Sequence, residues 1–260
     1  MITWLASYPK SGNTWLRCIL SAYHYGQLDI NDIRDSYLDY QPHFYKSLLI
    51  DSAQPIDVMH IRTAALYHID KFMVSPNLKT HWGNYSIYGI AAIPSALSKR
   101  AIVMIRDPRD LVVSLANFYQ LTIDDVIKIL NDQNGGTFED DKYYFLGTWS
   151  TFIKSWQQAT FPVEFIRYED LQANTSGTIE RILKFLELPV KNIEQIVELT
   201  TFERMKEQEV SNGFIERKNN ATFFYNGKST WKDKLTDEQV KLITEAHKDM
   251  MIEFNYEIGA

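Results

Sequence analysis

Five consecutive residues, Lys10-Ser11-Gly12-Asn13-Thr14, put a cation, two hydroxyls, an amide and a glycine into one short run. Such groups hold an anion: lysine supplies a full charge, hydroxyls donate hydrogen bonds, and glycine lets the backbone approach a ligand closely. Their position strengthens the reading. Ile2 to Ser7 is an apolar run that reads as a buried strand, and an apolar-striped helix follows from about Thr14 to Tyr25, ended by Gly26. The five residues thus occupy the turn from a strand into a helix N-terminus. Unpaired N–H groups and the positive end of the helix dipole favour negative charge there. Lysine precedes glycine, and Gly-x-x-x-x-Gly-Lys-Ser/Thr occurs nowhere in the chain, so this is not a standard nucleoside-triphosphate loop.

Two further clusters carry chemistry. Arg106 ends Ala101 to Ile105, an apolar, β-branched run with charges on both sides, the pattern of a central parallel strand. Open α/β sheets place ligands at that end of a strand. Asp107 and Pro108 then open a helix as cap and first residue. Ser114 falls among Leu111, Leu115 and Phe118 on the apolar stripe of this helix. Its hydroxyl either bonds back to the Asp110 carbonyl or serves a ligand. Leu78-Lys79-Thr80-His81 is a short strand ending in a histidine, whose neutral ring can take a proton near pH 7. His24, His43, His60, His68 and His247 have no comparable context.

The elements that must position these groups read as follows. Residues 28–75 are rich in aromatics and look helical, with breaks at Pro42 and Pro55. Helices are expected near 122–131, 140–158, 175–187 and 191–199, with a strand at Val163 to Arg167. Residues 207–230 read as a long polar loop, and a last helix opens at Thr236, with Val240, Ile243, Met250 and Phe254 on its apolar face. Strands alternating with helices predict one α/β domain over 1–260, with a central, mostly parallel sheet flanked by helices.

Bulk properties restrict the partners. The chain has 260 residues, of which 45% are hydrophobic, enough for a continuous core. Its formal net charge of -6 gives no global basic field for nucleic acid, so any phosphate site is local. The single Cys18 excludes an internal disulfide and a cysteine-rich zinc site, and its apolar neighbours predict inert packing. The N-terminus lacks the pattern of a secretion signal, and no apolar run reaches membrane-spanning length. A soluble, cytoplasmic protein is expected.

Ser7-Tyr8-Pro9-Lys10-Ser11-Gly12-Asn13-Thr14-Trp15-Leu16 resembles the Tyr-Pro-Lys-Ser-Gly-Thr-Thr-Trp motif of cytosolic-type sulfotransferases. The longer opening segment looks most like bacterial enzymes that sulfate natural products, such as the glycopeptide-antibiotic sulfotransferases. Resemblance implies that Lys10, Ser11, Gly12, Asn13, Thr14 and Trp15 hold the 5'-phosphosulfate of 3'-phosphoadenosine 5'-phosphosulfate (PAPS), with Asn13 replacing the usual threonine. It implies that Arg106 and Ser114 grip the 3'-phosphate, and that Tyr168, Thr200 and Phe202 flank the adenine. It makes His81 the base, and Lys10 and Lys79 the cations that stabilise the transferring group. No metal is called for, since lysines and helix amides supply the positive charge.

A last family element is an Arg-Lys-Gly loop followed by Asp-Trp-Lys. Gly227, Trp231 and Lys232 match it, but Tyr225 and Asn226 replace the two basic residues; Lys228 or Arg217-Lys218 are the substitutes considered. The implied acceptor is a small-molecule hydroxyl, with no nucleic-acid or membrane partner. Its binding walls are placed in residues 28–75, Trp82–Tyr88 and 207–224. Two other classes fit an anion loop: a small-molecule kinase, and a nucleotide-binding module without catalysis.

Overall fold

The computed structural model describes residues 1–33, 77–81, 83–84, 93–134, 136–139, 142–217, 222–225 and 227–258. Most of the 28–75 stretch and the Trp82–Tyr88 stretch therefore lie outside the described residues. So do His43, His60, His68, Lys218 and Asn226.

Strand β1 (Ile2–Ser7) leads into helix α1 (Asn13–Tyr25), which Gly26 ends in the left-handed conformation. Strands β2 (Asn77–Thr80) and β3 (Ser98–Ile105) follow, then helices α2 (Pro108–Tyr119) and α3 (Ile123–Asn131). Strands β4 (Gly136–Glu139) and β5 (Lys142–Phe145) form an antiparallel pair, and helix α4 (Trp149–Gln157) precedes strand β6 (Val163–Arg167). Helices α5 (Tyr168–Ala173), α6 (Thr175–Phe185), α7 (Ile193–Leu199), α8 (Phe202–Asn212), α9 (Trp231–Lys234) and α10 (Asp237–Glu253) complete the chain.

The central sheet has the order β2-β1-β3-β6, and all its pairings are parallel. Alternation along its strands builds two cores. Trp4 and Ala6 of β1 join Ala101, Val103 and Ile105 of β3 in one cluster, beneath Leu111 of α2, Trp156 of α4 and Ile243 of α10. Leu5, Ile102 and Met104 point the other way, against Leu16 and Ile19 of α1 and Ile182 of α6. Burial on both faces explains why these strands read as mainly apolar runs.

The expected α/β architecture is the one observed, with two local corrections. The helix predicted at 140–158 begins only at Trp149, because Thr148 caps it by accepting the Thr151 N–H, while Lys142–Phe145 pairs as a strand. The aromatic run Tyr143-Tyr144-Phe145 suits a pleated surface better than a helix. The loop predicted from residue 207 starts after Asn212: strong helix formers carry α8 on to Gly213, which ends it at φ 73°. No described helix is long and apolar enough to cross a membrane.

Candidate functional site

The chain reverses direction across the sheet at β1. It passes from β1 to β2 on one side, then crosses to β3 on the other. In open α/β sheets the crevice at such a reversal, beyond the carboxyl ends of the strands, is where ligands bind. Lys10–Thr14 follow β1, His81 follows β2 and Arg106 follows β3, so three separate sequence clusters converge at one edge.

Backbone geometry shapes the loop. Lys10 has φ 68° and Gly12 φ 101°, and the Ser11 N–H donates to the Tyr8 carbonyl at 3.2 Å. A Cβ on Gly12 would stand 2.8 Å from the Tyr168 ring, so only glycine admits that ring over the loop. Among the described residues, the Ser11 hydroxyl, Trp15 Nε1 and Arg106 Nε beside the loop are buried without a hydrogen-bond partner. Orphaned buried donors carry a desolvation cost, and an anion bound at the loop would remove it. The site therefore fits a phosphate or sulfate group.

The Lys10 ammonium lies 3.4 Å from the centre of the Phe223 ring and 4.3 Å from that of Phe118. Burial first, and then the charge of Arg106, lower its pKa to about 7. The Arg106 guanidinium lies 4.4 Å from the Tyr168 ring centre and donates to the Lys10 carbonyl at 3.3 Å. Trp15 meets the Tyr168 ring edge-on at 5.6 Å, and Tyr168 donates its hydroxyl to the Gly227 carbonyl at 3.1 Å. A Cβ on Gly227 would strike Phe202 at 2.6 Å. Tyr168, Phe202 and Gly227, far apart in sequence, thus close one wall beside the loop.

His81 stands at the end of β2. Its Nδ1 is 2.7 Å from the Ser7 carbonyl and 3.1 Å from the Ser7 hydroxyl. A carbonyl only accepts, so Nδ1 carries the proton and Nε2 is the basic nitrogen. Burial first, and then the charge of Lys79, lower the pKa to about 3. The ring is therefore neutral at pH 7, as a base requires, though it is a weaker base than an exposed histidine.

Some predicted ligand contacts are directed elsewhere. Asn13 donates its amide to the Leu5 carbonyl at 2.8 Å and accepts from Arg17 Nε at 3.1 Å, so its amide ties β1 to α1 instead of reaching for a ligand. The Thr14 hydroxyl accepts from Arg17 and donates to Glu216 at 3.3 Å. The Thr200 hydroxyl is fully buried and donates to the Ile196 carbonyl within its own helix turn. Ser114 is half-buried on α2, and the bond back to the Asp110 carbonyl does not form. Tyr225, Lys228 and Arg217 are exposed.

Four acidic residues and two arginines in this region were not singled out from the sequence. Glu216 pairs with Arg17 at 2.7 Å and with Lys79 at 3.2 Å. Asp110 accepts the N–H groups of Thr230 and Trp231 at 2.7 and 3.1 Å, while Arg109 lies 4.0 Å over the Trp231 ring. Glu169 accepts the Asp107 N–H, and Glu209 accepts those of Phe223 and Phe224. Arg17 on an otherwise apolar helix face was the one available signal. Cys18 is buried and its thiol is pushed up to about 12 by burial, in keeping with inert packing.

Comparison with known proteins agrees with this geometry. Rat Sulfotransferase 1A1 is 28% identical over 222 residues, spanning 80% of this chain and 68% of its own. A crystal structure of retinol dehydratase in complex with androsterone and inactive cofactor PAP superposes with TM-score 0.66 at 20% identity, over 96% of this chain and 80% of that one. Mouse sulfotransferase SULT7A1 complexed with PAP gives TM-score 0.64 at 19% identity, over 98% and 86%. The family described as "Sulfotransferase domain" matches residues 2–255, and the chain belongs to the sulfotransferase family.

Proposed function

We propose that the chain moves a sulfuryl group from PAPS to the hydroxyl of a small molecule, with the Lys10–Thr14 loop on the 5'-phosphosulfate and Arg106 with Ser114 on the 3'-phosphate. The observation that carries this reading is the pair of orphaned buried donors, Ser11 Oγ and Arg106 Nε, at one edge of the sheet. The Ser114 hydroxyl, unbonded to its own helix, suits the same role. Trp15 and Tyr168 beside the loop, with Phe202 and Gly227 behind them, suit an adenine.

In the step itself, the acceptor oxygen attacks sulfur in line with the bond to the bridging oxygen. A new S–O bond forms and the old one breaks. His81 takes the acceptor's proton at Nε2, and the leaving phosphate keeps the electron pair. Lys10 stabilises the charge growing on that phosphate, and Lys79 the equatorial oxygens, as in phosphoryl transfer.

The single-domain reading over 1–260 and a cytoplasmic place of action belong to the same proposal. So does a natural-product acceptor, which rests on the resemblance of the opening segment Trp4–Cys18, and of the short length, to bacterial enzymes that sulfate natural products. Neighbours in fold hold small molecules, androsterone and retinol among them.

Thermal stabilisation by adenosine 3',5'-bisphosphate without magnesium, and label transfer from sulfur-35 PAPS to members of an alcohol and phenol panel, are the expected results. Stabilisation by Mg-ATP in place of the bisphosphate would overturn the reading in favour of a kinase. Bisphosphate binding without any transfer would leave a binding module.

A further inference from the structure

Glu216 lies 137 residues from Lys79 in sequence, yet its carboxylate receives the Lys79 ammonium at 3.2 Å. The same carboxylate accepts from Arg17 on both oxygens, at 2.8 and 2.7 Å, and from the Thr14 hydroxyl at 3.3 Å. Arg17 is in turn fixed by Asn13 Oδ1 at 3.1 Å and by Thr14 Oγ at 3.1 Å. A continuous polar chain therefore runs from the phosphate loop through Arg17 and Glu216 to the lysine on the sheet edge. Its members are shielded from water: the side-chain exposures are 0% for Arg17, 15% for Glu216 and 16% for Lys79. Shielding strengthens each charge–charge contact and lengthens its reach.

Lys10, Arg17, Lys79 and Arg106 crowd this edge. Burial is the main cause of the lowered pKa values of Lys10 and His81; the charge of Lys79 comes next at His81, while at Lys10 it is the smallest contribution, behind that of Arg106. Glu216 opposes that crowding; its own pKa is held well below the usual carboxylate range by Lys79 and Arg17, against the cost of burial. Glu209, clamped to the Phe223 and Phe224 N–H groups, adds a weaker negative field at Lys10. Without a carboxylate between them, Arg17 and Lys79 would face each other as unscreened like charges. A lysine in that position loses its proton most easily.

We propose that Glu216 is a positioning residue for the transfer step: it keeps Lys79 protonated and aimed at the phosphate loop, using Arg17 as its anchor. A lysine ammonium has three donors. One goes to Glu216, and that bond fixes where the ammonium stands at the sheet edge. The site is then complete only when the segment after α8 seats Glu216 between β2 and α1. This inference rests on the sulfuryl-transfer reading and deepens it.

The test combines two readouts on Glu216→Gln, Glu216→Asp and the double variant Arg17→Met/Glu216→Gln. The double variant removes both buried charges together, so neither is stranded if the single variant folds poorly. The first readout needs no acceptor: pulse labelling with acetic anhydride, followed by mass spectrometry of the Lys79 peptide against pH, measures how much of that amine is neutral. Glu216→Gln and the double variant should become labelled at Lys79 at a pH at least one unit below wild type, with Glu216→Asp close to wild type.

The second readout is transfer rate against pH, with bisphosphate affinity measured beside it. The alkaline limb of kcat should move down by a similar interval in Glu216→Gln, with near-normal bisphosphate affinity. A purely structural role would lower the rate by one factor at all pH values and leave the labelling curve in place. That outcome, or bisphosphate binding tightened tenfold or more by Glu216→Gln, would overturn the inference; the latter would make Glu216 a competitor of the donor. Absence of transfer by the wild-type chain would count against the sulfuryl-transfer reading alone, since the labelling curve still decides the role of Glu216.

Discussion

Among the described residues two histidines, His81 and His247, have lowered pKa values, and their surroundings differ. His247 on α10 is 1% exposed, sits 5.4 Å from the Trp149 ring and shares a hydrogen bond of 2.9 Å with Ser150 through Nδ1. Burial alone lowers its pKa, to about 4. His81 has a comparable shift, to about 3, but Lys79, Glu216 and Arg17 all act on it and the Ser7 carbonyl orients it. A shifted pKa is thus no mark of function by itself. What separates the two is convergence: the His81 ring meets charged groups from three distant parts of the chain at the edge where the sheet's strand order reverses, whereas His247 packs into a core between α4 and α10.

That contrast is most sharply tested by activity. His81→Ala and Lys10→Ala should each lower the rate of sulfuryl transfer by about 10²–10⁴-fold, while His247→Leu leaves it within about twofold. Rates from sulfur-35 PAPS measure this, and equal losses at both histidines would erase the distinction.

Stability against acid should not separate the two, since both folded pKa values lie below that of a free histidine. His247 has a folded pKa near 4, below the unfolded value of 6.5, so the unfolded chain binds more protons between those values and stability falls as pH drops through that window. The loss from this one group reaches about 3 kcal/mol near pH 4. Urea midpoints measured from pH 7 to pH 4 should fall less steeply in His247→Leu than in wild type.

Gly12 sharpens the comparison from the backbone side. Alanine there combines a left-handed φ of 101° with a Cβ 2.8 Å from Tyr168. Gly12→Ala should cost about 1–3 kcal/mol and displace the Tyr168 ring, so that bisphosphate affinity falls together with Tm. Gly213→Ala meets no atom within 4 Å and, at φ 73°, should affect stability only.

The smallest effect concerns Lys10. Its free-protein pKa of about 7 means that above pH 7 an anionic ligand must recruit a proton to this lysine. Bisphosphate affinity should weaken by up to about tenfold per pH unit above 7, and calorimetry in buffers of different ionisation enthalpy should detect the proton taken up. Lys10→Met should abolish that uptake.

Much of this was legible from the chain as text. β1 and β3 are buried on both faces, so their sequences are mainly apolar, with Ala101–Ile105 wholly so, and the capping residues Asp107 and Thr236 mark helix starts through local hydrogen bonds alone. The Lys10–Thr14 loop was legible because glycine, lysine and a helix start are neighbours in sequence. Glu216, Asp110, Glu169 and Glu209 were not, because a carboxylate in a polar stretch looks like solvated surface until the fold shows which donors face it. The hairpin at β4 and β5 was missed for a related reason: a strand as short as four residues is specified by its partner more than by its own pattern.

The amino-acid sequence by itself determined the strand–loop–helix to which anion binding is assigned by proposal, the alternation that demands a two-faced parallel sheet, and the residue types able to move a proton or stabilise a charge. Those depend on neighbours within a few positions, where spacing and chemistry coincide. Tertiary structure alone decided that Ser7 orients His81, that Asn13 and Thr14 face Arg17, and that Glu216 meets Lys79 across 137 residues. Long-range electrostatic pairing has no period and no local signature, so only the folded chain displays it.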